Sequence, residues 1–352
     1  MIFDKTKNIF WINAVKALCI IAVYFVHCEI YYGFGIPKVN DIIHPLYVNG
    51  FFFVSGFLMM RKQLSSPLSN QSVNEYINGG GEKLLTNIIY KLAIPTMLFS
   101  LMEYMPKKLL RGEQITLHSF FSNTIGGGTY WFTSALVVAE LIVLLMLITR
   151  WRSLLTYFIM GLVTAALGWY LIQIDFHLFG FGHDPWAYRR GLLAVAFMMA
   201  GGVYWRYEEQ LAKRMNLSIL SILLCVYIII FGLYPKEFPV LISTMDITFA
   251  GYLASLLGCI VLVEICKKMK EIKVLTFIGQ YSLCFYFLSG ALPMIVTMIA
   301  KRFLPVGSFG VLLVIFLSCL TLAAFVTYVL NKYLPFLFDL RKMNLEISKD
   351  RL

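Results

Sequence analysis

Charged residues are scarce in this sequence. Only 14% of its 352 residues are Asp, Glu, Lys or Arg, while 59% are hydrophobic, and the mean hydropathy is +0.76. Such a chain cannot cover a water-facing surface with charge. This excludes an ordinary soluble domain and makes the lipid bilayer the expected solvent.

Several motifs of other protein classes are also missing. The seven cysteines lie in apolar runs or at their ends, without CxxC or Cys/His spacing, so we interpret them as small core residues rather than disulfides or metal ligands. There is no internal repeat and no separate polar domain. The first apolar run is too long for a signal peptide and has no small-residue cleavage site, so we expect it to stay as a membrane span.

Apolar runs long enough to cross, or nearly cross, a hydrocarbon core of about 30 Å occur ten times. They predict an all-α fold, a polytopic membrane helix bundle that forms a single domain over residues 1–352. The predicted spans are 10–32, 43–60, 84–103, 130–149, 153–174, 190–205, 217–234, 245–266, 274–299 and 307–330. The longest predicted loops are 104–129, 61–83 and 175–189.

The net charge of +11 would suggest a nucleic-acid partner in a soluble protein. In a membrane protein, however, basic residues collect on the cytoplasmic side. With both termini inside, the cytoplasmic segments hold 19 Lys and Arg residues and the outer segments hold 9. We therefore predict cytoplasmic termini, membrane lipid as a partner, and no nucleic acid.

The first span carries two polar residues on one face. Lys16 and His27 are eleven residues apart, which at about 100° per residue is three turns plus about 20°, so they share one stripe about 16 Å long. Ionisable residues at membrane depth usually face a protein interior or a wet cavity. Two structural roles stay open, because Lys16 can snorkel to the inner surface and His27 can hydrogen-bond at the outer interface.

The second span contains Asn49 and Ser55 within an aromatic block and ends with Arg61. A nucleophilic Ser55 would need a base beside it. Arg61 is either a topology anchor or a phosphate ligand.

Two further ionisable residues lie within later spans. Lys91 precedes Pro95, which frees a backbone carbonyl and favours a kink. Glu140 lies about ten residues into the fourth span, where a carboxylate needs a cationic partner or a proton, and Lys91 or Lys16 could be that partner.

Residues near the span ends have simpler interpretations. We expect water to reach Glu103 and Glu264. Tyr130 and Trp131 are typical of interfacial anchors, with stacking on a sugar or on adenine as the alternative.

Taken together, these residues resemble the acyltransferase-3 family of bacterial integral-membrane acyltransferases. The first span has a basic residue, ten intervening residues and a histidine, Lys16 and His27, with lysine where the family usually has arginine. The second span has the block FFFVSGF, Phe51–Phe57, followed by Arg61.

Three later segments extend the similarity in the same order. They are Lys91–Pro95, Tyr130-Trp131-Phe132 with Leu136, and Ile278–Ala291 with Gly279, Ser282 and Tyr286. Ser289 stands where the family often has a histidine, which departs from the pattern. The similarity runs from about Trp11 to Asn331, nearly the whole chain.

The resemblance implies an O-acyltransferase of the bacterial cytoplasmic (inner) membrane. It would move an acyl group, usually acetyl, from acetyl-CoA or another acyl-CoA to a hydroxyl of a cell-surface glycan or its lipid-linked precursor, without a metal. His27 would be the general base and Lys16 would attract donor phosphate or a developing oxyanion. Arg61 and Lys91 would add donor-binding charge. Residues that would bind substrate or shape the site are Asn49, Ser55, Tyr130, Trp131 and Glu140.

Other functions stay open at this point. A multi-pass transporter or flippase would use Lys16, His27 and Glu140 to line a permeation path. A glycan ligase or polymerase would more typically need a large outer loop. A purely structural family member, succinyl in place of acetyl, and acceptors from exopolysaccharide to a small alcohol are further alternatives, and the sequence does not indicate an oligomeric state.

The role of Lys16 can be tested through its charge. We expect Lys16→Arg to keep most of the acyl-transfer activity, because the cation stays on the same stripe, and Lys16→Ala to lose about tenfold or more. Transfer of radiolabelled acetyl by purified, folded variants measures both. Full activity in both variants would leave snorkelling as the role of Lys16.

Overall fold

The computed structural model describes residues 10–64, 71–149, 153–178, 184–304 and 307–342, with the backbone alone for residues 110 and 111. Some basic residues that support the predicted topology lie outside the described residues. These are Lys5, Lys7, Arg150, Arg152, Lys349 and Arg351.

The structure is 82% helical, which confirms the predicted all-α fold. The helices are α1 (Phe10–Tyr32), α2 (Pro37–Leu64), α3 (Val73–Tyr76), α4 (Glu82–Ile88), α5 (Ile94–Arg111), α6 (Leu117–Asn123), α7 (Trp131–Ile148), α8 (Leu154–Gln173), α9 (Tyr188–Arg214), α10 (Leu217–Leu233), α11 (Phe249–Lys268), α12 (Lys273–Gln280), α13 (Ser282–Leu288), α14 (Ala291–Phe303) and α15 (Phe309–Tyr333). Two π turns, Ile77–Gly81 and Ile89–Ala93, join α3, α4 and α5. Short 3₁₀ turns are Pro185–Ala187 and Pro335–Leu337.

Seven helices in the described part of the chain are long and apolar enough to cross a membrane, and up to nine if each of two bent pairs is one span. The pairs are α13 with α14, bent by 47°, and Pro185–Arg214 with α10, bent by 116°. The multi-pass membrane architecture is thus confirmed. The count of ten stays a prediction, because it treats 190–205 and 217–234 as two spans.

Helix boundaries differ from the predicted ones where tertiary contacts extend or interrupt a run. The third span begins at Val73 rather than 84, because the helix continues through Gly79–Gly81 as a π turn. Gly80 makes this possible, since a Cβ there would lie 3.0 Å from the ring of buried Tyr76. The interpretation of these glycines as part of a loop was therefore wrong.

The start of the predicted eighth span is also corrected. Asp246–Ile247 forms strand β2, which pairs antiparallel with β1 (Val240–Leu241), and α11 begins at Phe249. The predicted ninth span is broken into α12, α13 and α14.

The chain folds into two compact units. The first unit contains the described residues of Met1–Val54, Glu209–Pro239 and Phe249–Ala324. At its centre α1 packs against α11, α12, α13 and α14, and 14 of its 23 residues are buried. A helix enclosed in this way must be apolar around its whole circumference, as α1 is apart from a few polar positions.

Close approach between α1 and α12 depends on a glycine. A Cβ at Gly279 would lie 2.1 Å from the carbonyl oxygen of Asn13, so only glycine fits against this backbone. This gives Gly279 of the family-like late segment a packing role.

The second unit contains the described residues of Ser55–Glu208, Val240–Thr248 and Phe325–Leu352. Here α7 packs against α4, both π turns and the 3₁₀ turn Pro185–Ala187. Gly56 is the counterpart of Gly279 in this unit, because a Cβ there would lie 1.9 Å from the carbonyl oxygen of Met198.

All seven cysteines lie in the described chain, and none forms a disulfide there. Six are buried, which fits their interpretation as small core residues, whereas Cys225 on α10 is exposed.

The close approach at Gly279 gives a stability prediction. Gly279→Ala places a methyl group against backbone that cannot rotate away, so we expect a loss of about 1–3 kcal/mol and a lower apparent Tm of the detergent-solubilised protein. Gly35→Ala is the matched control, since nothing lies within 4 Å of a Cβ at that position. Equal Tm values for the two variants would contradict the proposed close packing.

Candidate functional site

The helix α1 is continuous from Phe10 to Tyr32, so the stripe geometry predicted for Lys16 and His27 holds. Both side chains are half-buried. His27 lies about 25 Å along the helix from Phe10, at 1.5 Å per residue. The first unit therefore holds an imidazole near one end of its central helix and an ammonium group nearer the other.

A backbone carbonyl fixes the orientation of the His27 ring. Its Nδ1 lies 2.6 Å from the carbonyl oxygen of Ser289. A carbonyl only accepts hydrogen bonds, so Nδ1 must carry the proton in this contact. In the neutral ring Nε2 is then the basic nitrogen, which is the arrangement that a general base requires.

The Ser289 carbonyl lies at a helix break. Between α13 and α14 the axis bends by 47° at Ser289 and Gly290. The N–H of Ser289 donates to the carbonyl of Tyr286 at 3.1 Å, and its hydroxyl donates to the same carbonyl at 2.7 Å. One turn earlier, the Tyr24 hydroxyl donates to the carbonyl of Phe285 at 2.9 Å. Two residues of α1 thus hydrogen-bond to the broken helix.

Sequence reasoning missed this contact and also missed Glu29. Glu29 is 3% exposed, and its Oε1 accepts the N–H of Ile36 at 2.6 Å. No hydrogen bond to its Oε2 is found among the described residues. A carboxylate two residues after His27 was the signal that the sequence offered for it.

Asn49 has a structural role in the first unit. Its Nδ2 donates to the carbonyl of Pro45 at 2.9 Å and to Ser255 Oγ at 2.8 Å, which ties α2 to α11. Asn49 is 1% exposed, so both contacts are shielded from solvent.

Two predicted site residues on α2 belong to the second unit. Arg61 is half-buried in the last turn of the helix, where its charge complements the carbonyl end of the helix dipole. Ser55 is half-buried and, among the second-unit residues that the structure describes, has no hydrogen bond to a base. The nucleophile role that was left open for Ser55 gains no support from this geometry.

Lys91 lies in the π turn Ile89–Ala93, four residues before Pro95, and its side chain is exposed. The predicted irregularity at Pro95 is therefore present as a wider helical turn. The segment packs against α7, which carries half-buried Glu140. Whether Glu140 pairs with Lys91 or Lys16 stays a prediction.

Tyr130 and Trp131 begin α7. Tyr130 is buried, and half-buried Trp131 has the guanidinium of Arg190 over its ring, 5.6 Å from the centroid. Arg190 also pairs with Asp184 at 3.0 Å and donates to the carbonyl of Ser243 at 3.1 Å. Arg190 thus links the Trp131 ring to Asp184 and to the backbone at Ser243.

Glu103 and Glu264 were expected to be solvated, and this expectation was wrong. They are 9% and 2% exposed, and each has a lysine one turn further along its helix. Lys107 lies 3.7 Å from Glu103, and Lys267 lies 3.6 Å from Glu264. Pairing with a neighbouring cation makes burial of these carboxylates tolerable.

The segment after α15 docks beside Lys91 within the second unit. Arg341 donates to both carboxylate oxygens of Asp339 at 2.7 Å, donates to Asn87 Oδ1 at 3.2 Å and lies over the ring of Tyr90. Hydrogen bonding to Arg341 is the main reason that the pKa of Asp339 is lowered, and Lys91 adds a smaller electrostatic effect. Arg341 and Lys91 therefore place two cations near one carboxylate.

Nearly the whole chain, residues 9–330, matches the acyltransferase-3 family model, which is described as an acyltransferase domain. The chain belongs to this family. No curated protein and no solved structure gives a significant match. The family match spans α1 to α15, so the acyltransferase domain includes both His27 and the broken helix that binds it, and the protein is a multi-pass membrane acyltransferase.

The Asp339–Arg341 pair gives a pH-dependent prediction for the segment at residues 335–342. Because the pKa of Asp339 is lowered in the folded protein, the pair stabilises docking fully above the ordinary aspartate range near pH 4. This stabilisation is lost as the pH falls through the lowered pKa. The protection of residues 335–342 from hydrogen exchange, taken relative to the intrinsic exchange rate at each pH, should fall over that interval.

Asp339→Asn should exchange faster at neutral pH and lose this pH dependence. Asp246→Asn, at the exposed first residue of β2, is the control. Unchanged exchange in Asp339→Asn would show that the pair does not hold the segment.

Proposed function

We propose that this acyltransferase moves an acetyl group from acetyl-CoA to a hydroxyl of a cell-surface glycan or its lipid-linked precursor, in the bacterial cytoplasmic membrane. The observation that carries the proposal is the 2.6 Å contact between His27 Nδ1 and the Ser289 carbonyl. When the ring is neutral, this contact leaves Nε2 as the nitrogen that accepts the proton of the attacking hydroxyl.

The chemistry of direct transfer balances with one base. The acceptor oxygen forms a bond to the thioester carbonyl carbon while His27 Nε2 takes the hydroxyl proton. The bond from carbon to sulfur then breaks, CoA leaves as a thiolate, and the imidazolium returns its proton to the sulfur. The Ser289 carbonyl also accepts from Nδ1–H of the imidazolium, so the same contact stabilises both protonation states of the ring.

Positive charge on the donor side supports acyl-CoA as substrate. With the N-terminus inside, Lys16 lies nearer the cytoplasm than His27 on the same helix face. Its ammonium is suited to a phosphate of the donor or to the oxyanion that forms at the thioester carbonyl. Arg61 and Lys91 are proposed to add to the potential that attracts the nucleotide part.

The proposed acceptor side is supported by the residues at the start of α7. Trp131 has a fixed, half-buried ring, and rings of this kind stack on the apolar face of a sugar. Tyr130 and Glu140 are proposed to shape the same part of the second unit.

The base assignment predicts that His27→Ala loses transfer of labelled acetyl by about 10²–10⁴-fold. His44→Ala is the matched control, because His44 is the half-buried histidine of α2 in the same unit and has no proposed role. Acyl-CoA turnover by purified enzyme in proteoliposomes, with the acceptor present and absent, is the measurement.

A folded His27→Ala protein that turns over acetyl-CoA at the wild-type rate would refute the base role. Absence of acyl-CoA turnover in the wild-type enzyme, together with movement of a solute, would favour a transporter instead.

A further inference from the structure

The position of Pro293 explains why the Ser289 carbonyl is available to His27. In an α-helix the carbonyl of residue i accepts the N–H of residue i+4. For Ser289 that residue is Pro293, which has no N–H. Pro293 lies in the first turn of α14 and is buried. The carbonyl therefore lacks the i+4 donor of a regular helix, and it accepts from His27 Nδ1 instead.

The Phe285 carbonyl is released in a different way. Its helical donor would be the N–H of Ser289, but that N–H turns to the carbonyl of Tyr286, three residues back. The vacated position is taken by the hydroxyl of Tyr24, which is fully buried. Backbone carbonyls at membrane depth must find a donor, so side chains of α1 supply both missing hydrogen bonds.

Tyr24 and His27 can bind the broken helix together because their spacing on α1 matches the spacing of the Phe285 and Ser289 carbonyls. They are three residues apart on α1 and so lie on one face, and the two carbonyls that they bind are four residues apart, also one turn. The Tyr24 contact fixes how α1 and α13 are aligned along their length. That alignment places His27 Nδ1 within hydrogen-bond distance of Ser289.

We propose that Pro293 is a positioning residue for catalysis. Because Pro293 has no N–H to donate to the Ser289 carbonyl, this carbonyl accepts from His27 and so keeps the neutral ring in the tautomer with the proton on Nδ1. Tyr24 keeps α1 and α13 in register. This inference rests on the proposed role of His27 as base and adds what selects its reactive form.

The test compares two substitutions that differ in one N–H. Pro293→Ala restores a donor that competes with His27 for the Ser289 carbonyl. Replacing Pro293 with lactic acid, the ester analogue of alanine, gives the same methyl side chain without that donor. We expect Pro293→Ala to lower kcat about tenfold at unchanged KM for acyl-CoA, and the ester analogue to stay near wild type.

The tautomer is read directly by ¹⁵N NMR of histidine-labelled protein in liposomes, at a pH where the ring is neutral. The chain has five histidines, and the His27 signal is assigned by its loss in His27→Gln. Wild type and the ester analogue should show a protonated Nδ1, whereas Pro293→Ala should shift His27 towards a protonated Nε2.

Two further variants separate this effect from general loosening. Pro106→Ala removes a proline from inside α5 of the second unit and should change neither activity nor the His27 signal. Tyr24→Phe weakens the same helix break without adding a donor, so it should lower thermal stability and shift the His27 signal less than Pro293→Ala does.

The inference is overturned if Pro293→Ala keeps the wild-type tautomer, or if the ester analogue or Tyr24→Phe shifts it equally. Failure of the proposed function is distinguishable from this outcome. It would appear as full activity in His27→Ala, whatever the NMR signal of His27 in the Pro293 variants.

Discussion

The hydrogen bond from His27 to the Ser289 carbonyl depends on a constraint that lipid imposes on every helix. Inside a bilayer a backbone carbonyl without a donor is costly, so a helix can break only where something else supplies the hydrogen bond. At the junction of α13 and α14 that supply comes from Tyr24 and His27. The need to satisfy the backbone and the need to orient a base are therefore met by the same contact.

Close packing around α1 holds this hydrogen bond in place. A side chain meets a carbonyl at 2.6 Å only if the two helices cannot slide, and glycine permits α12 to lie directly on the α1 backbone at Asn13. The buried Tyr24 and the buried Phe285 ring add an edge-to-face contact along the same seam. The first unit thus holds its candidate base on a rigid element.

The second unit is organised by charge in a different way. Arg190 joins Asp184, the Ser243 carbonyl and the face of Trp131, and Arg341 joins Asp339, Asn87 and the face of Tyr90. In each case one guanidinium connects an acid, a backbone or amide oxygen, and an aromatic ring, which its planar fork suits better than a lysine would. These networks hold Trp131 and the surroundings of Lys91, the residues with proposed roles in substrate binding.

The sequence by itself determined the solvent, the helical class and the face that Lys16 and His27 share, because hydropathy and a period of 3.6 residues are local properties. It also contained Pro293 four residues after Ser289, a local signal for a free carbonyl that becomes meaningful only with a donor in place. Only the tertiary structure decided that the donor is His27, that Glu264 and Glu103 are covered, and that Gly79–Gly81 continue a helix rather than end one. The His27 contact joins residues 262 positions apart in the chain, and the spacing of neighbours along one helix cannot specify which side chain another helix will present.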